Sequence, residues 1–589
     1  MHLGSIVNRP LTSPPPPPLA GEGGQGVRAF ALNTHQVLTI VLFIALFTMA
    51  VRAPVDTDTW WHLRSGQYIV ETRSIPRTDP FSFTRAGAPW IDQSWLAQVL
   101  LYGVSRWAGV PGLAILVAGL VVLAFAFVYR QCEGDRFLRA FTLILAATVS
   151  SVIWAARPQM LSFVLTAVVS HVLYRYKRSG LTSPPTPPLI GEGRKTPPSL
   201  VGKGAGGLGL LWLPPIFLLW VNLHAGYAAG FILVGCTLAG EVANRLLEQR
   251  DVPALSWRDI GRLAGVAALS ALVIPLNPNG AQMLLYPFKT VNIGVLRDFI
   301  QEWASPNFHQ LYQQPFIWLL LAVIVTLGLS RRAADITDLL LVGVFAYMGL
   351  LAGRNVALFA LVAAPVVVRY GDATLRELRR ERLARLGILR PRPMPRLAPA
   401  LKVTNWLIVL LIIAAAGAKI WMALQPAVVE QALAATVPLH AAEYLHEQRP
   451  AGPMFNSYNW GGFLLWALYP DYRVFVDGRT DLYDDAFLRD YLKVVMARPG
   501  WEAVLARYGV NLIVIERDSV LATVLALTPD PSPTLRERGE APPHPNPPPP
   551  GGRGKARIPG SARPEDGGRG GWRLVYSDDL AAVFVREGR

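Results

Sequence analysis

The chain has 589 residues, of which 52% are hydrophobic and only 16% charged. Ordinary soluble domains carry about 25% charged residues, so this composition excludes a protein built throughout to face water. The net charge of +16 does not indicate nucleic acid, because the basic residues cluster in short loops between apolar runs, as an orientation signal does.

Three stretches stand apart from the rest. Residues 11–26 read LTSPPPPPLAGEGGQG, residues 181–193 read LTSPPTPPLIGEG, and a looser copy begins at Leu527. Pro/Gly segments of this kind bury no core. Residues 1–36 are therefore expected as a disordered cytoplasmic N-terminus, 178–209 as a disordered inserted loop and 528–570 as a disordered insertion.

The first apolar run is 37–51. Val51 and Ala53 resemble a signal cleavage site, but Pro54 follows at once, so the run is read as an uncleaved first helix starting inside. Residues 53–109 form an outer loop. Within it 60–72 and 90–107 are amphipathic and too short or too polar to span, so they are expected to lie in the membrane interface. Further runs follow at 112–129, 138–155, 160–174, 210–221, 227–241, 263–276, 316–329, 339–352, 356–368 and 403–424, giving about eleven transmembrane helices. Cys132 and Cys236 have no metal-ligand spacing, and no disulfide framework is expected.

Counted from an inside start, Arg130, Arg175, Arg245, Arg331 and the basic segment 369–402 fall inside, as the positive-inside rule requires. The same parity puts Asp56 and Asp58, the turn at Arg157, the turn at Asn222 and His224, the loop 277–314 with Glu302, and Arg354 on the outer face. Polar residues gathered on one face are expected at an active site. Asp56-Thr57-Asp58-Thr59-Trp60-Trp61-His62-Leu63 is the densest of these stretches. Acids are costly in hydrocarbon and tolerable at its edge. A bland reading is that Asp58 or Thr57 caps a short amphipathic helix beginning at Trp60.

Residues 425–589 are expected as a soluble outer α/β domain. Strands are expected at 454–456, 473–477, 511–515, 572–576 and 582–585, with helices at 460–468, 486–496, 501–508 and 520–527. Asn456, Asn459, Asp477, Arg479 and Asp481 stand near strand ends, as ligand-binding or as turn residues.

A long first outer loop with paired acids, about eleven spans and an outer C-terminal domain resemble the GT-C superfamily of membrane glycosyltransferases. That superfamily includes protein O-mannosyltransferases, lipid A aminoarabinose transferases and oligosaccharyltransferase catalytic subunits. Asp56-Thr57-Asp58 matches its acidic first-loop motif in kind and position. The Trp60-Trp61-His62-Leu63 extension, Asn456-x-x-Asn459-Trp460-Gly461-Gly462 and Val476-Asp477-Gly478-Arg479 look like a little-characterised bacterial branch. The Trp-Trp-Asp acceptor motif of oligosaccharyltransferases has no clear copy.

The resemblance implies an inverting transferase of the bacterial cytoplasmic membrane. It would pass a sugar from a polyprenyl-phosphate carrier to an acceptor glycan, lipid or protein. Asp58 and Asp56 are then the catalytic candidates. Arg354 and Arg157 are candidates for the donor phosphate, with snorkelling to the interface as the alternative. His224 can donate to substrate or to a carbonyl. His62 stands one turn after Asp58 and can hydrogen-bond to it. Glu302 can complete a site for a divalent cation (Mg2+ or Mn2+) with Asp56 and Asp58, since hard cations prefer oxygen ligands, or can pair with Arg297. The competing classes are a transporter or flippase and a non-catalytic envelope assembly protein. Transporters place such groups in broken helices near mid-bilayer and often repeat their spans, which this sequence does not.

Overall fold

The structure is a computed structural model, and it describes residues 32–181, 209–248, 252–291, 302–385, 399–526 and 571–587. The three Pro-rich segments fall outside the described residues apart from their edges.

Local chemistry starts the helices where the sequence provides caps. The Asn33 side chain accepts from Gln36 N (2.8 Å) while Gln36 Oε1 accepts from Asn33 N (2.9 Å), opening the helix Thr34–Ala50. Asp135, Ser256 and Asp335 cap the helices that follow them through the N-cap side chain, without the return bond. Trp95–Gln131 runs on as one element, but Gly109 sits at φ 62° and breaks it just before Pro111. That break separates the expected amphipathic segment from the apolar run after it. Glycine is needed there, because the left-handed region is closed to most side chains.

Among the described residues, seven helices are long and apolar enough to cross a membrane: Trp95–Gln131, Arg136–Ile153, Tyr227–Leu246, Trp257–Leu276, Leu311–Leu329, Gly353–Arg382 and Val403–Ala423. Thr34–Ala50, Leu213–Leu223 and Ile336–Leu351 are apolar but shorter. The remaining expected run lies in Gln159–Leu181, where Ser162, Ser170 and His171 dilute it. Every one of the expected runs is thus helical, although fewer of them are full spans by length and composition. Gly353–Arg382 is the most enclosed of the seven, and Val403–Ala423 leaves Val403, Leu407, Leu411 and Trp421 exposed.

The loops expected inside meet one another. Arg379 pairs with Asp135, Arg331 with Glu377, and Lys177 with Asp335. The stretches expected on the other face also meet, at the far end of the helices. Trp95 Nε1 donates to Asn222 Oδ1 (3.0 Å), and Asn277 Nδ2 donates to Val221 O (2.9 Å).

The C-terminal region carries a four-stranded sheet in the order β1 (Met454–Asn456), β2 (Leu512–Glu516), β4 (Ala581–Arg586), β3 (Trp572–Ser577). β1 and β2 are parallel, with Phe455 opposite Ile513, and the other pairs are antiparallel. Alternation along β2 divides its side chains between two cores. Ile513 and Ile515 pack with Phe455, Phe475, Phe487 and Tyr491, whereas Leu512 and Val514 join the core that continues into the helical bundle.

Two expectations need correction. The stretch 473–477 is not a strand apart from a single bridge between Ser82 and Val474. Its backbone groups are instead satisfied by the first loop and by Asn456. Phe83 N donates to Val474 O (3.1 Å), Thr84 Oγ1 to Phe475 O (2.6 Å), and Phe475 N to Asn456 Oδ1 (2.7 Å). Nor is Thr59–Thr72 an interfacial helix open to lipid. Trp60, Trp61, His62 and Leu63 are all buried, with Trp60 edge-on to Phe463 at 5.3 Å. The apolar face read as lipid-seeking is covered by the helix Gly461–Leu468.

Candidate active site

Arg157 is the centre of the site. The tight turn from Ile153 to Gln159 holds it at the start of the helix Gln159–Leu181, and Arg52 braces that turn by donating to Ser151 O (2.7 Å) and Trp154 O (2.8 Å). Its Nη1 lies 3.0 Å from Asp56 Oδ2 and 2.7 Å from Glu302 Oε1. Its Nη2 lies 3.0 Å from Asp58 Oδ2 and 3.1 Å from Glu302 Oε2. One guanidinium therefore gathers three carboxylates from two distant parts of the chain, Glu302 in bidentate fashion. Burial alone lowers the Arg157 pKa, but the charges of Asp56, Asp58 and Glu302 outweigh it and hold the group firmly protonated.

The two aspartates differ. Asp56 Oδ1 accepts from Asp58 N (3.0 Å) and Thr59 N (3.2 Å), so Asp56 turns the chain into the helix Thr59–Thr72. Asp58 is the N-cap residue by position, yet its side chain makes no cap hydrogen bond. Capping thus does not account for its carboxylate. Burial raises the Asp58 pKa, Arg157 opposes the rise, and Asp56 and Glu302 add to it, leaving it at about 7. About a quarter of its side-chain surface (26%) stays open, enough for a substrate atom and too little to restore full hydration. The Trp61 indole N–H is turned toward Asp58 and helps to hold that pKa down, without reaching full hydrogen-bond geometry. For Glu302, burial raises the pKa, but the Arg157 charge and hydrogen bond with the Arg354 charge bring it below the usual carboxylate range.

Arg354 behaves differently from Arg157. Its backbone N donates to Glu302 O (3.2 Å), and its guanidinium lies 4.6 Å over the Trp303 ring. Among the described residues, no ion pair or hydrogen bond engages that guanidinium. It lines a cavity of about 130 Å³ with Glu302, Val149, Ile153, Tyr312 and Phe316. Arg354 and Glu302 are its charged lining, Tyr312 and Gln313 add polar groups, and the rest is mostly apolar. The cavity is smaller than the roughly 300–1,000 Å³ of small-molecule sites, with room for a small group only. Asp58 does not line it, and the link from Asp58 runs through Arg157 and Glu302.

His224 Nδ1 accepts from Gly226 N (3.0 Å) and faces Ser162 Oγ (2.8 Å). Those bonds put the ring proton on Nε2. Burial, then the charges of Arg354 and Arg157, lower its pKa to about 3, so the ring is neutral. His62 does not hydrogen-bond to Asp58 through its side chain. Its ring packs on Trp61 and its Nδ1 stands 3.5 Å from Gln98 Nε2, while burial keeps its pKa well below the usual value. The turn that was expected to bring His62 to Asp58 aims the ring instead into the contact with Gln98. Gln98 also donates to the buried Asp92 (2.7 Å), whose pKa burial raises to about 7.

The Gly-containing motifs of the C-terminal region reach this site directly. A methyl group at Gly478 would lie 2.9 Å from Trp61 Nε1 and closer still to Asp58 Oδ1. One at Gly462 would lie 2.7 Å from Thr57 O. Both glycines allow the C-terminal backbone to lie against Asp56-Thr57-Asp58. Tyr458 is also near, since the Asp58 charge contributes to the rise of its pKa after burial.

Of the other polar residues noted near strand ends, Asp477, Arg479 and Asp481 have structural partners, while Asn459 is exposed. Arg479 Nη1 lies 2.6 Å from Asp79 Oδ1 and its Nη2 lies 2.6 Å from Asp477 Oδ2, all three side chains being fully enclosed. Asp481 accepts from Tyr286 OH (3.0 Å). Asp79, Asp92, Gln98 and Tyr286 were not singled out in the sequence. Asp79 had a signal, the Asp-Pro turn beside Phe81, but its partner stands 400 residues away.

Among the described residues, no three His, Cys, Asp or Glu side chains are grouped so as to hold a metal ion. Asp56, Asp58 and Glu302 converge, but on the Arg157 guanidinium. A divalent ion needs several oxygens about 2.0–2.6 Å from one point, and the point these carboxylates share is taken by guanidinium nitrogens. As arranged, the donor set does not fit Mg2+ or Mn2+. Glu302 faces Arg157; Arg297 falls outside the described residues.

No protein-family model matches the sequence, and no curated protein matches it. Solved structures do. The archaeal oligosaccharyltransferase AglB of Archaeoglobus fulgidus, solved with an inhibitory peptide and a dolichol-phosphate, is similar over 82% of this chain and 69% of its own, with TM-score 0.52 and 12% identity. ArnT of Cupriavidus metallidurans, solved with undecaprenyl phosphate, is similar over 93% of this chain and 97% of its own, with TM-score 0.44 and 12% identity. The likeness to the oligosaccharyltransferase is one of fold. The chain thus shares its fold with an oligosaccharyltransferase, one of the kinds of protein whose likeness the sequence suggested.

Proposed function

We propose that the chain is an inverting membrane glycosyltransferase that takes a sugar from a polyprenyl-phosphate donor and passes it to an acceptor at the outer face of the cytoplasmic membrane. The observation that carries this reading is the division of labour between two arginines. Arg157 is committed to three carboxylates, whereas among the described residues Arg354 has no ion pair and lines, with Glu302, a cavity whose walls are mostly apolar. A cation so placed suits a phosphate whose lipid chain leaves along apolar walls. The fold neighbour that was solved with a dolichol-phosphate supports a donor of that class.

In the reaction, the acceptor oxygen attacks the anomeric carbon as the bond from that carbon to the phosphate oxygen breaks. Asp58 takes the acceptor proton. A base with a pKa of about 7 is well matched to this task near neutral pH. Asp56 orients Asp58 through its backbone N–H, and Arg157 fixes both acids and Glu302. Arg354 and the neutral His224 receive the charge that develops on the leaving polyprenyl phosphate. His62 supports the site by packing beneath it. The basic loops support an N-terminus inside and a C-terminal region outside, and the contact of Gly478 with Asp58 supports a role for that region in covering the site.

Asp58→Asn keeps the shape and removes the proton acceptor. Transfer from a polyprenyl-phosphate donor by the purified protein should fall by about 10²–10⁴-fold, with folding little changed. Full activity in the Asp56→Asn/Asp58→Asn double variant would overturn the assignment.

A further inference from the structure

Three carboxylates facing one point normally require a cation. In this protein the chain itself provides one. The Arg157 side chain is 12% exposed, and its four contacts with Asp56, Asp58 and Glu302 lie between 2.7 and 3.1 Å. The arrangement is braced from both sides. Asp56 is fixed by the N–H groups of residues 58 and 59, and the turn at Glu302 is tied to the Arg354 turn by Gly353 N to Ala304 O (3.0 Å) and Arg354 N to Glu302 O. An arginine does not lose its proton in this range, so the positive charge is permanent. A divalent ion would have to expel the guanidinium from a bidentate pair and two further ion pairs.

We propose that Arg157 is a resident cation that occupies the place a divalent metal would take among Asp56, Asp58 and Glu302, and that it holds those acids without added metal. Arg157 is a positioning residue in this scheme. It acts through Asp58, orienting one carboxylate oxygen and leaving the other for the acceptor. The role within catalysis rests on the transferase reading above, but the exclusion of metal does not.

A corollary follows from charge. Removing the guanidinium leaves three acids facing a gap, with up to three negative charges and no counter-ion, which is the donor chemistry that hard cations choose. Removing one unit charge from within direct contact of the three acids strengthens their attraction for another cation, so Mn2+ should bind the Arg157→Ala protein at least about tenfold more tightly than the parent.

The experiment is Mn2+ titration of the purified full chain in detergent, read by electron paramagnetic resonance. It is run on the parent, Arg157→Ala and Arg157→Ala/Asp56→Asn. Expected is one site in Arg157→Ala, much weaker binding in the parent, and loss of the new site in the double variant. Equal tight binding by parent and Arg157→Ala would overturn the proposal, and so would no binding by either. If Arg157→Ala fails to fold, Arg157→Gln keeps the volume without the charge and is read in the same way. Transfer activity gives a separate arm: chelator should leave the parent's rate unchanged, and loss of activity on chelation would overturn the proposal. A protein with this Mn2+ pattern and no sugar transfer would break the transferase reading and leave the resident cation standing.

Discussion

Two arginines in this protein hold clusters of carboxylates, and they do so in opposite settings. Arg479 joins Asp79 and Asp477 with every side chain sealed from solvent, between the rings of Phe81 (5.1 Å) and Trp90 (4.8 Å). Arg157 joins Asp56, Asp58 and Glu302 in a site where those acids keep 22%, 26% and 39% of their side-chain surface. The first cluster has one positive charge for two negative charges and further donors, including the Ser82 hydroxyl and the N–H groups of Phe81 and Ser82 for Asp79. It locks the first loop to the C-terminal region. The second has one positive charge for three acids, lies open, and borders the cavity beside Arg354. The difference teaches that ion-pair geometry alone does not mark function. Incomplete neutralisation combined with access does.

The comparison breaks most visibly through Arg479. Arg479→Met leaves Asp79 and Asp477 buried without a counter-charge, and removing one partner of such a set costs about 3–5 kcal/mol. Thermal unfolding in detergent should show a large loss. Arg157→Gln should lose much less stability, because its acids remain partly hydrated. Equal losses in the two variants would show that the open cluster is as structural as the closed one.

Gly478→Ala tests how the two clusters are linked, since Gly478 lies between Asp477 and Arg479 in sequence and against Asp58 in space. The added methyl group must push Asp58 or the backbone aside. Misplacement of a reacting group by about 1 Å costs about 10²-fold in rate. Transfer activity should fall by that order while the unfolding temperature changes little. Unaltered activity would detach the C-terminal region from the chemistry.

The smallest effect expected is that of pH. Asp58 acts as a base only when ionised, and burial with its acidic neighbours raises its pKa to about 7. Activity should therefore be level above that pH and fall about tenfold per unit below it. The stability sign is opposite. The folded state binds the Asp58 proton more tightly than the unfolded state, so the shift favours folding at low pH, and that advantage is lost as pH rises from about 4 to about 7. Partial exposure makes this contribution small. A rate profile that is flat from pH 5 to about 8 would remove Asp58 as the base.

Much of the molecule is legible from local sequence. The apolar runs become helices because hydropathy and capping act over a few residues, as at Asn33 and Asp335. The acidic pair at Asp56 and Asp58 stands out because carboxylates beside paired indoles are rare at the end of an apolar run. The strand at 473–477 failed because its hydrogen-bond partners are side chains and loop groups remote in sequence. The interfacial reading of 60–72 failed because amphipathicity reports that one face is covered, not what covers it. Bilayer and protein impose the same pattern on the sequence.

What the sequence determined by itself was a membrane bundle with its polar residues directed to one face. What the tertiary structure decided was which charges are spent on each other and which remain. Arg157 lies 101 residues from Asp56 and 145 from Glu302, and nothing local to any of them states that they meet. Arg157 and Arg354 read alike in the sequence, as outer arginines at helix ends. Only packing makes the first a counter-ion and leaves the second without an ion pair among the described residues, because electrostatic partnership depends on distance in space, which the fold sets.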